Sequence, residues 1–114
     1  MQASNRVFAE EVEFAGTRIR AGEQVLVLLG SANHDEAVFE NAADLDIRRP
    51  NARKQLGLGL GPHYCLGAHL THLEAAVTFA TLARRFPAMR IASDCLEWLP
   101  RYSVRGVRAL RLSL

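Results

Sequence analysis

An α+β fold is predicted for this 114-residue chain by three features. Short apolar–polar alternations separated by glycine turns fill the first 29 residues. One long helical pattern occupies residues 65–86, and an alternating tail closes the chain. The expected architecture is a small antiparallel β meander (6–29), a long irregular segment (30–64), one long helix (65–86) and terminal strands (95–114), together a single partial domain over residues 1–114.

The first strand pair is read from Val12 and Phe14 alternating with Glu11 and Glu13, then Ala15-Gly16-Thr17 as a turn, then Arg18-Ile19-Arg20. Ala21-Gly22-Glu23 marks a second turn, and Gln24 opens a continuous apolar run through Leu29 whose lack of alternation predicts burial on both faces. Three consecutive strands joined by two turns make a meander. From Gly30 to Pro62 turn and cap formers dominate, among them Asn33, Asp35, Asn41, Asp44, Asp46, Pro50 and Asn51. At most one short helix, around Ala37 to Phe39, fits there. A loop of this length in a small domain is more often functional or disordered than idle.

The long helix is set by Leu66, Leu70, Leu73, Val77 and Ala80, which step by four and three along one stripe, and it is stopped by Pro87. Ala68, Ala75, Ala76, Phe79, Leu82 and Ala83 widen the apolar surface, as expected of a core helix. Arg84 and Arg85 sit in its last turn, where cations favour the negative end of the macrodipole. In the tail Leu110, Leu112 and Leu114 face one way and Arg111 and Ser113 the other, which predicts strand over residues 104–114.

Composition narrows the function classes. A hydrophobic fraction of 49% with a charged fraction of 23% is that of a globular domain and excludes disordered and collagen-like classes. The net charge of +2 is too small, and the cations too scattered, for a nucleic-acid footprint. Cys65 and Cys95 cannot form the disulfide framework of a small secreted domain. The longest apolar run, residues 25–29, is far too short to span a bilayer. A cytoplasmic protein with no nucleic-acid or membrane partner is expected.

Chemistry concentrates in Leu58-Gly59-Leu60-Gly61-Pro62-His63-Tyr64-Cys65-Leu66-Gly67. A glycine-rich turn delivers a cysteine to the start of a long helix, where backbone N–H groups and the positive helix end stabilise a thiolate. Gly59 and Gly61 permit positive φ or close backbone approach. Pro62 stiffens the turn. Gly67 leaves room for a flat ligand beside the backbone. Three readings stand side by side. Cys65 is an inert thiol, the usual fate of a free cysteine; or Cys65, His69 and His72, at i, i+4 and i+7 with His63 nearby, hold zinc; or the thiolate is an axial haem ligand.

The run resembles the cysteine-ligand loop of the cytochrome P-450 monooxygenases, whose pattern is F-G-x-G-x-H-x-C-x-G. Gly59, Gly61, His63, Cys65 and Gly67 match, and Leu58 stands where the family has Phe. Arg6, Glu10, Val12, Glu13 and Gly16 are similar to the family's R-x-A-x-E-D-V-E-x-x-G strand pair, with Glu11 for Asp. Gly22-Glu23-Gln24-Val25 resembles the next strand. Ala32-Asn33-His34-Asp35 resembles A-N-R-D, with His34 for Arg and Glu36 for the usual Pro. Phe39, Asp46 and Arg49 fit the segment before the haem loop. Gly67-Ala68-His69-Leu70 with Glu74 resembles the bacterial, soluble form of the following helix, and Trp98 with Arg105-Gly106 fits the closing strands.

The resemblance implies haem b as cofactor and Cys65 as its iron ligand, with Arg6 and His63 at positions that bond the propionates and with Leu58, Gly59, Gly61 and Gly67 around it. It implies insertion of one oxygen atom of O2 into a small hydrophobic organic substrate, with electrons from a ferredoxin-type or flavin donor. The family more often has Arg at the position of His72, on the donor-docking face. No counterpart of the family's oxygen-activating helix, with its acid–alcohol pair, or of its E-x-x-R helix is found, and Met1 to Asn5 read as an arbitrary start joined to an internal strand. The chain is therefore expected to be the C-terminal part of the fold, inactive alone, with an N-terminal half missing and apolar surface left open on the long helix. The alternative is a non-catalytic truncated fragment or split-protein half that binds haem weakly or not at all.

Overall fold

The computed structural model describes residues 1–92 and 95–114, in two compact units. The first comprises Met1–Gly57 with Tyr102–Val104, the second Leu58–Arg101 with Arg105–Leu114.

In the first unit, β1 (Ser4–Val7) pairs antiparallel with β4 (Gln24–Val27), Ser4 opposite Val27 and Val7 opposite Gln24. Between them β2 (Val12–Phe14) and β3 (Thr17–Ile19) form a hairpin of their own. Its two-residue turn has Ala15 at φ 48° and Gly16 at φ 75°, the left-handed pair whose twist suits a hairpin. The expected three-stranded meander is thus corrected to two separate pairs. The cause lies in the second turn, where Gly22 at φ 83° donates its N–H to Phe8 (2.8 Å) and Glu23 C=O accepts from Phe8 N–H (3.2 Å). Those bonds carry the chain back to β1 instead of alongside β3.

The apolar run of β4 is not buried on both faces: Leu26, Val27 and Leu28 are exposed, and Leu29 alone of the run is buried. Among the described residues each strand pair is only two strands wide, so its faces lie open. The run also ends early, because Leu29–Ala32 turn into a short helix, α1. The first residues are tied into the first unit. Gln2 donates to Ser103 C=O (2.7 Å) and accepts from Gly30 N–H (2.8 Å), and Ala3 is 3% exposed.

The long segment after α1 is held by polar groups in place of periodic structure. Asp35 closes the turn at Ala37–Phe39 through its carboxylate to Ala37 N–H (2.9 Å) and its carbonyl to Phe39 N–H (2.8 Å), so a single turn stands where a short helix was expected. Arg49 donates to the carbonyls of Glu40, Asn41 (3.1 Å) and Asp44 (3.1 Å). Asn33 Oδ1 accepts from Leu56 N–H (2.8 Å). Phe39, 5% exposed, is the apolar pin of this segment.

In the second unit, α2 spans Ala68–Arg85. It stops because Phe86 precedes Pro87 and is forced out of helical geometry, at φ −134°. β5 (Arg90–Ile91) pairs with β6 (Leu112–Ser113), and Trp98 bridges to Val107. Arg105 stacks 3.9 Å over the Trp98 ring, and Arg108 pairs with Glu97 at 2.7 Å. The continuous strand expected over residues 104–114 is corrected to Leu112–Ser113 and that single bridge. Alternation alone does not make a strand when no long partner strand supplies the ladder.

The expected core helix is corrected too. Ala68 is its one buried residue, whereas Leu70, Leu73 and Val77 on the stripe stand open, as does Phe79. Open apolar surface on the long helix is as expected. Among the described residues no helix is long and apolar enough to cross a membrane.

Candidate functional site

Residues 58–67 form a closed loop in the second unit. Cys65 N–H donates to Leu58 C=O at 2.9 Å, which ties the cysteine to the residue that opens the loop. Between them Gly61–His63 make one 3-10 turn, with Pro62 at its start and Tyr64 N–H donating to Gly61 C=O at 2.9 Å. Two glycines make this path possible. Gly59 at φ +79° and Gly61 at φ +70° lie in the left-handed region, and a Cβ on Gly59 would meet His63 O at 3.4 Å. Gly61 has open space around it and is required for its backbone conformation alone.

Cys65 is a free, exposed thiol. It stands before the helix, not on it: Gly67 is the N-cap and Cys65 C=O accepts from Ala68 N–H at 3.1 Å. A Cβ on Gly67 would lie 3.9 Å from Cys65 Sγ, so glycine keeps one flank of the sulfur clear. Among the described residues no three His, Cys, Asp or Glu side chains gather as a metal would require. The described side chains thus do not bring the Cys65, His69 and His72 set together. Helical spacing places His69 and His72 relative to each other but does not reach back to Cys65.

The loop fits a haem. It offers one soft donor, exposed, on a backbone locked by hydrogen bonds, with no side chain at Gly67 to obstruct a flat ring. His63, His69 and His72 are exposed. Arg6 lies on β1 of the other unit, where its guanidinium donates to Ser4 Oγ and to Asn5 C=O (2.8 Å). The Leu58 carbonyl was not foreseen as the partner of Cys65, and no side-chain pattern signals it, because any residue supplies a carbonyl. In the first unit a hollow of about 650 Å³ is bordered by Glu36, Glu40, Asp44, Asp46 and Arg49. Its one cation is engaged with backbone carbonyls.

The family model described as cytochrome P-450 matches residues 2–92. A putative cytochrome P-450 (number 140) of Mycobacterium tuberculosis is 45% identical over 92 residues, which are 81% of this chain and 21% of that protein. The biotin biosynthesis cytochrome P-450 of Bacillus subtilis is 39% identical over 110 residues, 96% of this chain and 27% of that protein. Among solved structures, a P-450 in complex with acyl carrier protein ligated to hexadec-9Z-enoic acid superposes with a TM-score of 0.92 at 36% identity, covering 99% of this chain and 29% of that one. The haem domain of the Tepidiphilus thermophilus P-450 does so with a TM-score of 0.94 at 36% identity, covering 99% and 27%. The chain spans about a quarter of the length of these curated relatives. The match begins at Gln2, which extends the resemblance upstream of Arg6.

Proposed function

The chain belongs to the cytochrome P-450 family, and from that premise we propose that residues 58–67 are its haem-thiolate site. Cys65 is the iron ligand, and the activity served is insertion of one oxygen atom of O2 into a small hydrophobic organic substrate. The observation that carries this reading is the exposed Cys65 thiol on a loop closed by its own N–H to Leu58 C=O, with the flank at Gly67 left clear. When bound, haem b supplies the iron at which O2 is activated, and a thiolate ligand favours O–O cleavage.

The chain's own residues have assigned tasks. Gly59 and Gly61 give the loop its path, and the Leu58 carbonyl fixes the direction of the Cys65 backbone. Leu58 stands where an aromatic ring shields the sulfur in the family, so it excludes water from that side less completely. His63 would serve a haem carboxylate through a charge-assisted hydrogen bond. Electrons come from a ferredoxin-type or flavin donor, and the setting is the cytoplasm.

The test is spectroscopic. Protein reconstituted with haem is expected to show the red-shifted ferrous–CO Soret band of a thiolate-ligated iron, and Cys65→Ser to abolish it. An unshifted band, or a shifted one that survives Cys65→Ser, removes Cys65 as the ligand.

A further inference from the structure

The backbone that enters the Cys65 loop is held by side chains, whereas the loop itself is held by backbone alone. Within residues 58–67 the bonds run from Cys65 N–H to Leu58 C=O and from Tyr64 N–H to Gly61 C=O, both 2.9 Å. Among the described residues, side-chain hydrogen bonds to this part of the backbone stop at Gly57. Burial changes nearby: residues 55–59 are half-buried and residues 60–67 are exposed.

Two side chains hold the entry. Asn33 Oδ1 accepts from Leu56 N–H at 2.8 Å, and Gln55 Oε1 accepts from Gly57 N–H at 2.6 Å. They differ in reach. Gln55 brackets a local turn, and Gly57 permits it, since a Cβ there would meet Gln55 Oε1 at 3.0 Å. Asn33 lies 23 positions from Leu56 and so ties it to a different element. That element is closed at its end: Asn33, the C-cap of α1, donates its N–H to Leu29 C=O (3.1 Å), and His34 Nδ1–H donates to Gly30 C=O (2.8 Å). Leu29 is buried, and Gly30 N–H is bonded to Gln2 C=O at 2.8 Å. The tether therefore has an anchored end. It lies wholly within the first unit and acts through the peptide that joins Gly57 to Leu58. Without it, the ordering entropy of the entry residues opposes closure of the loop, and a half-buried Leu56 N–H is left without its acceptor.

We infer that Asn33 is a positioning residue for the Cys65 loop. Its Oδ1 fixes the Leu56 amide, and through it the direction in which Leu58 presents the carbonyl that orients Cys65. Groups outside the ligand set hold a metal's donor in this way. The inference rests on the haem-thiolate reading of residues 58–67 for its purpose, and on the hydrogen bonds alone for its geometry.

The experiment compares the full chain with Asn33→Leu, which keeps the shape and deletes the acceptor, and Asn33→Asp, which keeps both. Amide exchange is read without haem. Asn33→Leu is expected to speed exchange of the Cys65 amide about fivefold, the factor for one net hydrogen bond, with the β1 and β4 amides unchanged. Asn33→Asp is expected to restore the original rate. In protein reconstituted with haem, the shifted ferrous–CO band is expected to fade faster in Asn33→Leu than in Asn33→Asp. Unchanged Cys65 exchange in Asn33→Leu overturns the inference, as does an acceleration that Asn33→Asp shares. Acceleration spread equally over β1 and β4 overturns it too, since Asn33 would then support the whole unit. Equal fading of the band in the two variants removes the role toward the ligand and with it the inference. A shifted band absent from all three proteins overturns the haem reading alone, and the exchange rates still decide whether Asn33 sets the loop.

Discussion

The two units solve the problem of stability differently. The first holds Ala3, Leu29 and Phe39 buried and ties its irregular segment with Asp35, Arg49, Asn51 and Asn33 bonded to backbone. Among the described residues the second holds Ala68 alone as a buried apolar residue, although it carries the long helix and the Cys65 loop. Charge divides the same way, with seven cations against nine anions in the first unit and seven against three in the second. Local polar bonds hold a turn-rich segment in shape with little core. A long helix with an apolar stripe has no such means, because its backbone bonds are satisfied internally and its stability comes from packing an amphipathic face. The lesson is that the chemically informative unit is the less self-sufficient one.

The largest expected effect breaks the comparison on the functional side. Supplied with haem, a ferredoxin and its reductase, the chain alone is expected to consume NAD(P)H and release peroxide, with no product from a panel of small hydrophobic substrates. A ligand site covers about 70–90% of its ligand, whereas Cys65 stands exposed. Water then reaches the reacting centre. Product formation coupled to electron input, without a second polypeptide, would show that this chain suffices for turnover.

Arg49→Ala tests the first unit. Removing a guanidinium that serves the carbonyls of Glu40, Asn41 and Asp44 is expected to cost about 2–4 kcal/mol there, read by hydrogen exchange over residues 33–57. Arg49→Lys restores only part of it, since one ammonium does not reproduce the planar fork. An unchanged exchange pattern in Arg49→Ala would mean that Phe39 burial, not the carbonyl clamp, orders the segment.

Gly59→Ala and Gly61→Ala sharpen the view of the loop. Both place a side chain at positive φ, an expected cost of about 1–2 kcal/mol each. Gly59→Ala should be the worse, because its Cβ also meets His63 O at 3.4 Å. The readout is exchange of the Cys65 amide, which reports the bond to Leu58 C=O. Equal acceleration in both variants would leave backbone conformation as the sole constraint.

Leu58→Phe is expected to have a smaller effect: slower conversion of the haem complex to its protonated-thiol form, followed by the loss of the shifted CO band with time. Identical rates in the two proteins would mean that the residue does not shield the sulfur. Least of all, Glu11→Gln removes an exposed pair with Arg18 and should shift stability by no more than about 0.5 kcal/mol by thermal melt.

The amino-acid sequence alone determined the features that short-range chemistry controls. Gly59 and Gly61 announce positive φ, Pro87 ends the helix after Phe86, and the spacing from Gly59 to Gly67 identifies the cysteine loop and the family. Each of these depends on a residue and its near neighbours. Tertiary structure decided whatever depends on distant backbone. β4 chose β1 over β3 because Gly22 and Glu23 bond to Phe8, fourteen and fifteen positions away in the chain. Arg49 became a clamp because three carbonyls from residues 40–44 converge on it. Cys65 fell before the helix instead of on it, so helical spacing does not set it against His69 and His72. A carbonyl or an amide belongs to every residue, so no side-chain pattern records which of them will meet. The apolar stripe of α2 shows the same division: its periodicity says that it must be covered, and only a neighbouring chain segment in space can cover it.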